Sequence, residues 1–149
     1  MRILVIHGPN LQLLGHRNPS VYGRMSLSTI NEKLKVQAKR LKATITLIQS
    51  NHEGEIVEAV GKAPGRYEGI LINPAAYTHT SVAIRDALEA AGLPAVEVHL
   101  SNIYARESFR RNSLMSPVVA GQITGFGAES YAFGLTALTG LLTSRRRKR

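Results

Sequence analysis

Met1-Arg2-Ile3-Leu4-Val5-Ile6-His7-Gly8-Pro9-Asn10 opens the chain: an apolar, β-rich run that breaks into Gly-Pro and then a polar side chain. The run is too short for the hydrophobic region of a signal peptide and reads as a first strand over residues 3–7. Residues 44–49, 69–73, 95–99 and 118–123 are further short aliphatic runs, giving five strand candidates. Helical periodicity separates them, over residues 27–41, 53–62, 81–91 and 128–142, with a short turn near 105–111. In the first of these helices Leu27, Ile30, Leu34 and Leu41 keep one face apolar, while Glu32, Lys33, Lys35, Lys39 and Arg40 occupy much of the remainder. Gly92-Leu93-Pro94 ends one helix before the next strand. Strands that alternate with helices in this way require a parallel sheet covered on both faces. Right-handed crossovers then favour a flavodoxin-like, doubly wound α/β fold with strand order 2-1-3-4-5.

The bulk properties agree. At 149 residues and 44% hydrophobic content the chain suits one domain with a substantial core, expected over residues 1–143. The absence of cysteine excludes disulfides, thiolate catalysis and cysteine-ligated zinc. No apolar stretch has the length that spans a bilayer, so a soluble, cytoplasmic protein is expected. The net charge of +9 points at first to nucleic acid. Arg145, Arg146, Arg147, Lys148 and Arg149 supply five of those charges, leaving +4 for the body. Residues 144–149 carry no apolar side chain to dock them and are expected to be disordered, as a solubilising end or as a contact for nucleic acid or an acidic partner. The charge of the body suits an anionic small molecule at least as well as a polymer.

Doubly wound sheets bind ligands beyond the carboxyl ends of their strands, at the switch point between strands 1 and 3. Polar residues gather at those ends: Gly8-Pro9-Asn10, then Asn73-Pro74 with Thr78-His79-Thr80-Ser81, then Glu97 to Asn102 followed by Arg106, Arg110 and Arg111. Glu97 and His99 stand two apart in a strand and leave it on the same face. A carboxylate beside an imidazole fixes its tautomer and favours its protonated form, which makes a general acid; the same pair could equally hold a structural histidine in place. Residues 15–25 form a polar, glycine-bounded stretch like an active-site lid and include Arg17 and Tyr22. A tyrosine serving as a base near neutrality must drop its pKa from about 10 to about 7, at a cost of about 4 kcal/mol. A guanidinium at ~4 Å and an effective dielectric of ~20 supplies about that much. An exposed loop tyrosine is the competing reading.

Other constellations are weak. Gly125-Phe126-Gly127 lacks the third glycine of a dinucleotide fingerprint, and the histidines at 7, 16, 52, 79 and 99 show no His-x-x-x-His spacing, so neither cofactor nor metal is expected. No lysine stands at a strand's carboxyl end, which disfavours a Schiff base. Two other classes share some of these features: a non-catalytic flavodoxin-like module for a flavin or nucleotide, and a nucleic-acid binder acting through the basic tail.

The order and wording of the motifs resemble the type II 3-dehydroquinases over residues 3 to 142. The resemblance rests on Gly8-Pro9-Asn10-Leu11 with Leu14-Gly15, Arg17 followed by Pro19 and Val21-Tyr22-Gly23, and Gln49-Ser50-Asn51-His52-Glu53-Gly54. It continues through Asn73-Pro74, Ala76-Tyr77-Thr78-His79-Thr80-Ser81, Arg85-Asp86-Ala87, Glu97-Val98-His99-Leu100-Ser101-Asn102 and Ala105-Arg106-Glu107. It implies a dehydratase that converts 3-dehydroquinate to 3-dehydroshikimate by anti elimination through an enolate, in aromatic amino acid biosynthesis or quinate breakdown. Tyr22 would remove the C2 proton with Arg17 lowering its pKa, Asn10 would stabilise the enolate through a water, and His99, oriented by Glu97, would protonate the departing hydroxyl. Asn73, His79, Leu100, Ser101 and Arg110 would hold the substrate, and Asp86 would lie near the site of a neighbouring subunit in a dodecamer of trimers. The chain departs from the family's usual pattern at His7, where Asn is usual, at Ala75, where Gly is common, and at Asn18, Tyr104, Asn112 and Leu114.

Overall fold

Side chains alternate across a strand, so a run that is apolar at every position must be covered on both sides. The computed structural model, which describes residues 1–16 and 25–148, shows that arrangement. Strands β1 (Arg2–His7), β2 (Thr44–Gln49), β3 (Gly69–Asn73), β4 (Ala95–His99) and β5 (Gly121–Thr124) pair in parallel in the order β2-β1-β3-β4-β5. The expected 2-1-3-4-5 order is therefore the observed one. Helices α1 (Leu27–Arg40), α2 (Glu53–Gly61) and α3 (Val82–Ala91) form the first three crossovers, two 3-10 turns lie between β4 and β5, and α4 (Glu129–Arg147) follows β5 and returns onto the sheet. Ile3 and Val5 of β1, Leu71 of β3 and Val96 and Val98 of β4 pack against α1 and α4. The intervening residues Leu4, Ile6, Ile70, Ile72 and Ala95 pack against α2 and α3. This parity decides where each polar strand-end residue points: His7 and Asn73 share the α1/α4 side, whereas Glu97 and His99 share the other.

Local chemistry sets the boundaries. The Ser26 hydroxyl accepts the Thr29 amide at 3.1 Å to cap α1, and Ser81 does the same for Ile84 at 2.9 Å to cap α3. Gly134 lets α4 lie close on the sheet, since a Cβ there would stand 2.5 Å from Val98 Cγ1.

Two expectations need correction. The last strand begins at Gly121 and not at 118, because the Val118 and Val119 amides donate to the Met115 carbonyl (2.9 and 3.2 Å) and close a turn. Both valines still pack on the core, which gave their sequence the look of a strand. Residues 144–149 were expected to be disordered, yet α4 continues to Arg147. Arginine is a good helix former, and cations at a helix C-terminus are favoured by its dipole. Arg146 also pairs with Glu68, whose carboxylate accepts the Arg2 amide at 2.8 Å. The turn expected near 105–111 is a pair of 3-10 turns, Ile103–Ala105 and Ser108–Arg110.

Candidate active site

The carboxyl ends of β1, β3 and β4 open onto one cavity of about 180 Å³. Directly after β1, the Gly8 amide donates to the Asn73 carbonyl at 2.7 Å. A Cβ on Gly8 would come within 2.6 Å of the Pro74 carbonyl oxygen, so only glycine permits this approach between the two strand exits. Asn10 then adopts a left-handed backbone (φ 67°), which asparagine tolerates better than most residues. Its amide is held by Asn51 Oδ1 at 2.9 Å, and the Asn51 carbonyl accepts the Tyr77 hydroxyl at 2.7 Å.

Past β3, Asn73 is buried and its Oδ1 accepts the Ala75 amide at 3.1 Å. Ala75 itself is left-handed (φ 50°), a strain that glycine would not carry. The next turn brings His79 to the cavity, where its Nδ1 donates to the Asn112 carbonyl at 2.7 Å. A carbonyl can only accept, so the neutral ring keeps its proton on Nδ1 and leaves Nε2 as an acceptor. Burial lowers the His79 pKa, and the charges of His99 and Arg110 act in the same direction against the Asn112 bond and Glu97. This histidine is a neutral polar contact near neutral pH.

At the end of β4 His99 lines the cavity, with Nε2 2.6 Å from Glu97 Oε1. Glu97 is fully buried behind it. Its carboxylate accepts from the Thr78 hydroxyl, from Ser113 Oγ (2.8 and 3.0 Å) and from Gln122 Nε2 (2.9 Å). Burial opposes ionisation, but the bond and charge of His99 together with Thr78 and Ser113 outweigh it, so the Glu97 pKa lies below the ordinary carboxylate value. A fixed anion surrounded by donors therefore keeps His99 protonated on Nε2. Nδ1 is the ring nitrogen left for a ligand, and when the ring holds its second proton that proton is there to give.

The structure thus brings Asn10, Asn73, His79, His99, Leu100, Ser101 and Arg110 to one cavity, with Glu97 directly behind His99. Arg106 also lines it and bonds Ser101 Oγ at 3.4 Å. Arg110 Nε lies 3.1 Å from Glu107 Oε2. That contact is an ion pair without hydrogen-bond alignment, and the same nitrogen is buried with no other partner among the described residues. Asp86 stands apart: it is exposed on α3 and does not line the cavity. Arg17 and Tyr22 lie outside the described residues.

Sequence reasoning missed the donors around Glu97. Ser113 and Gln122 lie 16 and 25 residues away along the chain, and no local spacing links them to it. Asn51 was visible only as part of a motif; the left-handed Asn10 whose amide it holds gives it a purpose.

Comparison with known proteins places these features in a family. The model of the family described as "Dehydroquinase class II" matches residues 1–139. The 3-dehydroquinate dehydratase of Acaryochloris marina is 61% identical over 136 residues, covering 91% of each chain. That of a Nostoc species is 58% identical over 138 residues, covering 93% of this chain and 94% of its own. The crystal structure of type II dehydroquinase from Butyrivibrio crossotus superposes with a TM-score of 0.91 at 41% identity, over 93% of this chain and 97% of the other.

Proposed function

We propose the division of labour below on the premise that the chain belongs to the class II dehydroquinase family and, as a hydro-lyase of the shikimate pathway, removes water from 3-dehydroquinate. The elimination breaks the C2–H and C1–O bonds and forms the C1–C2 double bond of 3-dehydroshikimate. Tyr22 is the base that takes the C2 proton, with Arg17 stabilising its phenolate. Charge then gathers on the carbonyl oxygen as an enolate, and Asn10 stabilises it through a bound water. His99 gives the proton from Nδ1 to the departing C1 hydroxyl, which leaves as water. Asn73, His79, the Leu100–Ser101 backbone with the Ser101 side chain, and Arg110 hold the hydroxyls and carboxylate of the substrate.

The observation that carries this reading is the Glu97–His99 pair. A buried carboxylate with four partners lies 2.6 Å from Nε2 of an imidazole that lines the cavity, committing that nitrogen and leaving Nδ1 for the substrate. A purely structural histidine has no need of so many donors around its carboxylate. The test is the rise in absorbance of the conjugated enone on adding 3-dehydroquinate. Wild type should show it, and His99→Gln should bind substrate while losing about 10²–10⁴-fold in kcat, the scale of a missing general acid. A His99→Gln protein with nearly wild-type turnover would remove His99 from the mechanism.

The remaining assignments belong to the same proposal. Asp86 is exposed on α3, away from its own cavity, which suits a contact with the site of another copy in a dodecamer built of trimers. Exposed Tyr104, Phe109, Phe126 and Phe133 offer apolar surface for such an assembly. Among the described residues no helix is long and apolar enough to cross a membrane, and we place the enzyme in the cytoplasm, where its pathway runs. Residues 1–143 are taken as the single catalytic domain, with 144–149 as an appendage dispensable for turnover.

A further inference from the structure

Ser113 does not line the cavity and lies in the segment between the 3-10 turn Ser108–Arg110 and β5, yet its hydroxyl is buried against the Glu97 carboxylate. Its Oγ accepts the Met115 amide at 3.1 Å and the Ser116 amide at 3.0 Å. A serine oxygen has two lone pairs and one hydrogen, so these amides fill its acceptor sites and leave the hydrogen to be placed. Glu97 Oε2 stands 2.8 Å away and Oε1 3.0 Å. Turned to Thr78 instead, the hydrogen would leave two bare oxygens 2.8 Å apart, so it goes to Glu97. The Thr78 hydroxyl stands 2.9 Å from Ser113 Oγ and cannot donate to an oxygen whose lone pairs are taken. Its hydrogen goes to Glu97 Oε1, the other acceptor it touches. The amides of Met115 and Ser116 thus set the direction of two hydroxyls, and neither hydroxyl is able to take a proton from Glu97. Thr78 is fully buried and Ser113 is 6% exposed, so no bulk water can stand in for either.

We propose that Ser113 is a positioning residue for the general acid: by aiming its own hydroxyl and that of Thr78 at Glu97, it holds the carboxylate in the place from which Glu97 orients His99. The backbone on either side of Ser113 serves the same wall of the site. The Leu114 amide donates to the Thr78 carbonyl at 2.7 Å, and the Asn112 carbonyl accepts from His79 Nδ1 at 2.7 Å. Three consecutive residues therefore seat the turn that carries Thr78 and His79 together with the carboxylate behind His99. Asn112 and Leu114 are positions where this chain departs from the family's usual pattern, and these two contacts are made by the backbone, which a changed side chain leaves in place. The contact that needs a particular side chain falls on Ser113. Gln122 is the other donor to Glu97 Oε2, at 2.9 Å, but it stands on the edge strand β5, is only partly buried and gives Thr78 no direction. The inference rests on the Glu97–His99 pair acting as the general acid.

The experiment measures kcat and KM by enone absorbance, together with thermal stability, for Ser113→Ala, Thr78→Val, Glu97→Gln and the double variant Ser113→Ala/Glu97→Gln. Ser113→Ala should lower kcat about tenfold, the scale of one lost hydrogen bond to a charged group. Its KM should stay within threefold of wild type, because the backbone bonds to Thr78 and His79 remain. In the Glu97→Gln background the same change should add less than twofold, because the carboxylate it acts through is gone. Thr78→Val keeps the side-chain shape and the carbonyl that Leu114 binds, and should match Ser113→Ala in kcat; it reports independently should Ser113→Ala fold poorly. A Ser113→Ala protein with lowered Tm and wild-type kcat would mean that the serine only braces its own turn. That result, or a multiplicative loss in the double variant, would overturn the inference alone. Wild-type turnover in Glu97→Gln would remove the pair from the mechanism, and the inference with it.

Discussion

Replacing His7 with asparagine should change how the fold responds to acid. Burial lowers the His7 pKa from 6.5 to about 4, against the smaller opposing pull of its bond to Asn31. The sign follows from which state takes the proton. Between pH 6.5 and 4 the unfolded chain binds a proton that the folded chain refuses, so the stability present above pH 6.5 is lost as the pH falls toward 4. At 1.36 kcal/mol per pH unit the full loss is roughly 3 kcal/mol, and about 2.5 kcal/mol of it is already gone at pH 4.5. Asparagine does not titrate. Urea unfolding of both proteins at pH 7.5 and 4.5, at one protein concentration, should show wild type losing about 2.5 kcal/mol more than His7→Asn between the two conditions. The depressed carboxyl of Glu97 contributes only below the ordinary carboxylate range and does so in both proteins, and the lowered His79 is likewise common to both. Equal losses, within 1 kcal/mol, would mean that His7 is protonated in place or reached by water, contrary to a buried neutral ring held between Tyr131 and Asn31.

Glu97→Gln should lower kcat by about 10²–10⁴-fold with little effect on substrate affinity, because it removes the anion that orients His99 and sets an amide donor against Thr78, Ser113 and Gln122; steady-state kinetics with a binding measurement separate the two. Removing residues 145–149 breaks the exposed Arg146–Glu68 pair, which is worth at most about 1 kcal/mol, so scanning calorimetry should find Tm lowered by no more than ~4 °C and the enone assay should find turnover unchanged. Borohydride added with substrate should leave activity intact, and mass spectrometry should find no reduced adduct, since among the described residues no lysine lines the cavity.

The strand order was legible because every run of this sheet is both short and bounded. Strands 2, 3 and 4 end where Gln49, Asn73 and His99 replace an aliphatic residue, and the parity of those residues then decides the faces. Residues 118–120 were misread because burial, and not strand pairing, explains the two valines. The tail was misread because the lack of apolar side chains was weighed above the helix propensity of arginine, and the added contact of Arg146 with Glu68, 78 residues away, leaves no mark on local sequence. At the site, Glu97 and His99 could be paired from spacing alone, since two residues apart in a strand means one face. The donors that keep Glu97 ionised come from three other segments and leave no mark on local sequence. Likewise His7 was visible only as a departure, because its hydrogen-bond partners Tyr131 and Asn31 are brought to it by the packing of α4 and α1.

The most direct test of the account is the kinetics of Tyr22→Phe, Arg17→Ala and the double variant, with substrate affinity measured alongside kcat. The account predicts that Tyr22→Phe binds 3-dehydroquinate and does not turn it over, because only the hydroxyl that takes the proton is gone. Arg17→Ala should lose most of its kcat as the tyrosine returns to its ordinary pKa, and the double variant should be scarcely worse than the worse single one, since the two act as a unit. Turnover by Tyr22→Phe within tenfold of wild type would contradict the account.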